Sequence, residues 1–63
     1  MKKFRVAYNT HRYHDTSDTC RLQFRNVTAK DAQEAMQQVR DMKTVGRLNV
    51  RYIGMVHGAE EIG

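Results

Sequence analysis

Basic side chains occupy alternate positions in three short stretches that resemble β-strands, and these stretches contain no acidic residue. Successive side chains of a strand point to opposite faces, so the alternate cations are expected to share one face. Like charges that face one another across strands cost stability, and a face with that cost is typical of a surface that meets a negatively charged partner. The predicted partner-binding residues are Lys3, Arg5, Arg21, Arg25, Arg47 and Arg51.

The chemistry of these cations narrows the partner to two classes. Five of the six are arginine, whose planar guanidinium suits both carboxylates and phosphates. Proteins that read single-stranded RNA on an open sheet usually display aromatic rings for base stacking. The alternation instead predicts that the strand aromatics face the core, which favours an acidic protein surface over the backbone of RNA or DNA. These aromatics are Phe4, Tyr8, Phe24 and Tyr52.

The elements that position the cations follow from the hydrophobic pattern. Alternation predicts strands at about 3–9, 20–26 and 47–53, and the tail 57–63 is expected to fray. The remaining apolar residues predicted to face the core are Val6, Cys20, Leu22, Leu48 and Val50.

A helix is predicted at about 29–43. Thr28 is the expected N-cap, with Asp31 three residues later in a shortened capping box. Gly46 is expected to end the helix as a left-handed C-cap. The apolar residues at helical spacing are Ala32, Ala35, Met36, Val39 and Met42.

These elements predict one α+β domain over residues 1–63 with the order ββαβ. A hairpin followed by a crossover gives a three-stranded antiparallel sheet of order 2-1-3, with the helix packed on one face. The other face is expected to be open and basic. Both outer strands would be sheet edges, so a homodimer through an edge strand is a further expectation.

Composition excludes several classes of function. The 63 residues have a formal charge of +4, and no apolar run is long enough for a membrane span. The single cysteine, Cys20, excludes an internal disulfide and favours the cytoplasm. We expect no enzyme and no cofactor, because the chain shows no nucleophile paired with a base and no phosphate-binding glycine loop. No metal site is expected, since the spacing of His11, His14 and Cys20, with His57 as a further ligand, matches no standard ligand set.

Three segments resemble small ββαβ proteins of bacteriophages. They are KKFRV at 2–6, FRNVTAKDAQEA at 24–35 and NVRYI at 49–53. The RNA polymerase inhibitors of T7-like phages share this layout, and the resemblance implies a protein that blocks an acidic surface of a host enzyme. Arg47 and Arg51 would then lie on the arginine-bearing last strand of that family.

The KxFRV start and the EA…V helix are also similar to the archaeal large-subunit ribosomal protein of the LX type. That resemblance implies that the basic face contacts RNA. The leading expectation is therefore a non-enzymatic, phage-encoded inhibitor that docks its basic sheet face on an acidic surface of a host protein. The alternative is a small nucleic-acid-binding protein, ribosomal-like or regulatory.

Overall fold

The structure is a computed structural model that describes residues 1–12, 20–48 and 50–63. It confirms the small α+β class, with one helix packed on an antiparallel sheet, but the sheet has four strands rather than three. No helix in these ranges is long and apolar enough to cross a bilayer. The elements are β1 (Lys2–His11), β2 (Arg21–Ala29), α1 (Ala32–Met42), β3 (Thr44–Val45) and β4 (Arg51–Glu61).

The strand order is β2-β1-β4-β3, and every neighbouring pair is antiparallel. The predicted placement of β1 between β2 and the last long strand agrees with this order. The predicted count is wrong because Thr44 and Val45 follow the helix directly and pair with β4, opposite Tyr52 and Arg51. β3 covers only the start of β4, so within the described ranges the sheet edges are β2, β3 and the part of β4 beyond its pairing with β3.

The pairing of β1 with β2 decides which side chains reach the core. Phe4 lies opposite Val27 and Ala7 lies opposite Phe24, with no shift over the nine paired positions. Directly opposed residues of antiparallel strands share a face. Phe4, Val6 and Tyr8 are buried against the helix as predicted, so β2 must place Val27 and Ala29 on that side. Phe24 then points to the other face, opposite to the prediction.

The helix is shorter than predicted at both ends. β2 continues through Ala29, so Thr28 remains in the strand and Asp31 becomes the N-cap, accepting a 2.8 Å hydrogen bond at Oδ1 from the Glu34 amide. At the other end the C-cap is Lys43, with φ 63°, rather than the predicted Gly46, whose positive φ of 88° follows β3. The helix therefore ends early enough for β3 to begin at the next residue.

Residues 57–61, in the segment that was expected to fray, form the last five of the eleven residues of β4. Glu60 lies opposite Arg5, and the ladder continues beyond the strand through hydrogen bonds from the Ile62 amide to the Lys3 carbonyl and from the Lys3 amide to the Gly63 carbonyl. The predicted strand at 47–53 is wrong, because the chain enters β4 only at Arg51. Two register shifts, near Tyr8, adjust the facing residues along β4.

Arg51 is one of two buried polar or charged residues within the described ranges, and it is 6% exposed. Its Nε donates a 2.9 Å hydrogen bond to Thr10 Oγ1, and its Nη2 donates a 2.9 Å bond to the Thr10 carbonyl. Thr10 is fully buried on β1, so this contact ties the start of β4 to the end of β1. Leaving a buried donor without its acceptor is expensive.

Replacing Thr10 by valine is therefore expected to destabilise the fold by about 1–3 kcal/mol, because the Arg51 Nε–H loses its hydroxyl acceptor while the shape is kept. Urea unfolding followed by circular dichroism measures the effect. The matched control is Thr44→Val, which removes an exposed hydroxyl and should change stability by less than about 0.5 kcal/mol. Equal unfolding midpoints for the two variants would contradict the role of this contact.

Candidate binding face

The sheet face that points away from the helix is the candidate functional surface, and we call it the open face. β1 places Ala7 on it, and the registers with β2 and β4 identify the neighbours of Ala7 as Phe24 and Gly58. The same alternation assigns the other positions. The open face comprises Lys3, Arg5, Ala7, Asn9 and His11 of β1, Leu22, Phe24, Asn26 and Thr28 of β2, and Tyr52, Gly58 and Glu60 of β4.

Two of the six predicted partner-binding residues lie on the strands of this face. Lys3 and Arg5 are both exposed, at the end of the sheet where β2 and β4 also end. Glu60 lies opposite Arg5 and brings one negative charge to the same end. The open face is therefore basic at one end rather than along its whole length.

The other four arginines are placed elsewhere, so the prediction that all six cations share a face is wrong. Arg21 and Arg25 are exposed, but they point to the helix side of β2 because Thr10 and Val6 oppose them. Arg51 is also on the helix side, where it supports the fold through Thr10. Arg47 is exposed and precedes β4. No observation tests a partner-binding role for any of the six, and that role remains a prediction.

Aromatic rings are present on the open face, in contrast to the prediction. Phe4 and Tyr8 are buried as expected, but Phe24 is 59% exposed and Tyr52 is also exposed. Tyr52 lies opposite His11, and their rings stack with centroids 6.1 Å apart and planes 28° apart. The argument against base stacking therefore no longer holds for this surface.

The centre of the open face is a flat strip, which we call the shelf, formed by Phe24, Ala7 and Gly58 side by side on three strands. A Cβ atom added to Gly58 would meet nothing within 4 Å, so the space above the shelf is open. Phe24 at one margin is on the order of 16 Å from Tyr52, from the strand spacing and the rise per residue. Beside Phe24, this row of the sheet carries only the small residues Ala7 and Gly58.

The signal that could have revealed this face lies within β2 itself. Leu22 and Phe24 occupy even-numbered positions and so point to one face of the strand, whereas Val27 and Ala29 occupy odd-numbered positions and point to the other face. A strand without a bulge can bury only one of these pairs. In the pair nearest to the helix, Ala29 is buried and Val27 is partly buried, whereas the first pair is exposed.

Other chemistry receives no support from the described residues. No group of three or more His, Cys, Asp or Glu side chains within 1–12, 20–48 and 50–63 could hold a metal ion. Cys20 is a free, exposed thiol. His14, which was considered as a ligand, lies outside the described residues.

Comparison with protein-family models, with curated proteins and with solved structures finds no significant match. The resemblances to phage inhibitors and to the ribosomal protein are therefore not supported by a relative, and the proposals below do not depend on them.

The reversed orientation of β2 can be tested with two matched substitutions. Phe4→Ala should cost about 3–5 kcal/mol, which can abolish folding of so small a domain, because it empties a buried core position. Phe24→Ala should cost at most about 1 kcal/mol, because most of that ring is in water. Circular dichroism and urea unfolding measure both values. If Phe24→Ala were as damaging as Phe4→Ala, Phe24 would belong to the core and the register would be wrong.

Proposed function

We propose that the protein is a non-enzymatic nucleic-acid-binding protein that contacts its ligand through the open face. The single observation that supports this most is the position of Phe24 beside Ala7 and Gly58 on an open sheet, with Lys3 and Arg5 at one end. Bases stack on aromatic side chains, and cations contact the adjoining phosphates. The sequence favoured a protein partner because it predicted no exposed ring, and the structure removes that reason.

The shape of the shelf suits a base better than it suits an irregular protein surface. Ala7 and Gly58 are the two smallest residue types, and they leave the ring of Phe24 accessible from the side as well as from above. An aromatic ring offers every base a stacking surface, so this contact is tolerant of sequence. We therefore expect little base specificity from the shelf.

The charge of the chain supports the same function. The formal charge is +4, and Lys3 and Arg5 lie within the open face itself. Contacts with phosphates release condensed counterions, so affinity should fall as salt rises. Lys2, on the other side of β1, is paired with Glu61 at 3.4 Å and contributes less to this charge. Cys20 is free and exposed, and we place the protein in the reducing cytoplasm.

Binding of a fluorescently labelled oligonucleotide, measured by anisotropy at low salt, tests this function. Wild type is expected to bind. Phe24→Ala should weaken binding by about 1–3 kcal/mol, because one stacking contact is lost. Gly58→Leu should weaken it at least as much by filling the space above the shelf, and it should not disturb the fold, since the added Cβ meets no atom.

The matched control is Gln33→Leu, which adds the same side chain to an exposed position of the helix and should bind like wild type. Circular dichroism verifies that each variant is folded. Absence of binding by wild type to either RNA or DNA at low salt would refute the function. Unchanged affinity of folded Gly58→Leu would refute the shelf as the contact surface.

The second candidate is the inhibitor function that the sequence predicts, in which a basic surface docks on an acidic host protein. One observation favours it. Leu48 is 97% exposed and adjoins Arg47, and Val50 is also exposed, although both apolar residues were expected in the core. Arginine is enriched at protein interfaces, whose buried centre is apolar. This candidate surface consists of Arg47, Leu48 and Val50 rather than the open face.

A pull-down from nuclease-treated bacterial lysate tests this candidate with the double variant Arg47→Glu, Leu48→Ser. Wild type should retain a specific protein and the variant should lose it, because both the charge and the apolar contact are removed. Adding Phe24→Ala to this variant should still weaken oligonucleotide binding, since neither Arg47 nor Leu48 belongs to the strands of the open face. Recovery of the same proteins by wild type and variant would reject the inhibitor function.

A further inference from the structure

β2 is an outer strand that presents different chemistry to the two sides of the sheet. Leu22 and Phe24 lie on the open face and are 56% and 59% exposed. Arg21 and Arg25 alternate with them and point to the helix side, where both are also exposed. A ligand at the outer edge of β2, which no other described strand covers, can therefore contact all four side chains. A ligand that lies across this edge meets apolar and aromatic groups above it and two guanidinium groups below it.

Neither arginine of this edge has a side-chain partner among the described residues. No hydrogen bond or ion pair is recorded for Arg21 or Arg25 in the part of the chain that the structure describes. The helix contacts the other end of β2, where Gln38 Nε2 donates a 2.9 Å hydrogen bond to the Thr28 carbonyl. Charged residues on an edge strand also discourage pairing between copies, and that role is separable by experiment.

Arg21 and Arg25 form a short basic path along the edge of β2. They are four residues apart on one side of an extended strand, a separation of about 13 Å. Arg25 lies opposite Val6 and points to the helix side, whereas Arg5 points to the open face, so this path is separate from the basic end of the open face. Arginine forks bind phosphate oxygens in a bidentate manner. The path therefore has the length and the chemistry to follow several phosphates of one strand.

We propose that the ligand of the open face is a single strand whose backbone follows the edge of β2, with phosphates on Arg21 and Arg25 and a base over Phe24. This inference rests on the proposed nucleic-acid function and deepens it. Paired bases expose only their edges, so a base must be unpaired to lie flat on the shelf. The protein should therefore prefer single strands to duplexes.

The test is the salt dependence of anisotropy for a labelled single-stranded dT oligonucleotide, with a blunt DNA duplex in parallel. Each phosphate contact on a single strand contributes about 0.7 to the slope of log affinity against log salt. The double variant Arg21→Gln, Arg25→Gln should therefore lower the slope by about 1.4. The matched control is Lys30→Gln, Arg40→Gln, which removes two exposed charges from α1 and the turn before it and should leave the slope unchanged.

The outcomes separate this inference from the function on which it rests. A slope that stays at the wild-type value in Arg21→Gln, Arg25→Gln, while Phe24→Ala still weakens binding, overturns the phosphate path and leaves the proposed function intact. If light scattering then shows that this variant self-associates, the arginines protect the edge instead. Equal affinity for duplex and single strand overturns the single-strand preference. No binding of either probe by wild type overturns the function itself.

Discussion

The register between β1 and β2 is the constraint on which the rest of the molecule depends. The register places Phe4 opposite Val27 and continues without a bulge over nine pairs. The orientation of one side chain of β2 therefore fixes the orientation of all the others. A slip by one residue would exchange the faces, bringing Phe24 under the helix and Val27 into water. The helix lies over the end where β2 terminates, and Ala29 is fully buried there. The burial of Ala29 at the end of β2 therefore determines which face each side chain of the strand points to, including those of Leu22 and Phe24 at its beginning.

β1 and α1 illustrate what sequence patterns can predict. The alternation of Phe4, Val6 and Tyr8 is unambiguous, and their burial was predicted correctly from β1 alone. The helix was also predictable, although its start moved from Thr28 to Asp31 because β2 competes for the same residues. In both cases the local pattern and the tertiary environment favour the same structure.

β4 could not be predicted because its stability comes from pairing that the local pattern does not contain. Gly54 and Gly58 interrupt the apolar alternation and are typical of a strand end or a loose tail. In the structure these residues extend the ladder along β1, whose other edge would otherwise lack partners for its amides and carbonyls. The two one-residue register shifts near Tyr8 cancel, so Arg51 faces the helix side as Ala59 does, and Tyr52 faces the open side as Gly58 does. The predicted basic face failed for a different reason, because β2 keeps its alternation but turns Arg21 and Arg25 to the helix side.

The exposed residues of β2 are the strongest argument for a functional surface. Burying one large apolar side chain stabilises a fold by about 1.5–3 kcal/mol, and a domain with a small core gains much from each one. This chain exposes Leu22 and Phe24 to water on the open face. On the helix side of the same part of β2 it places the charged residues Arg21 and Arg25. Places where a local pattern conflicts with the fold are frequently functional. The proposed single strand would resolve the conflict, because its bases would cover the exposed ring while its phosphates neutralised the arginines on the same edge. Acidic side chains alone would neutralise the arginines and leave the ring uncovered, so a partner of β2 must supply both anionic groups and a flat apolar surface.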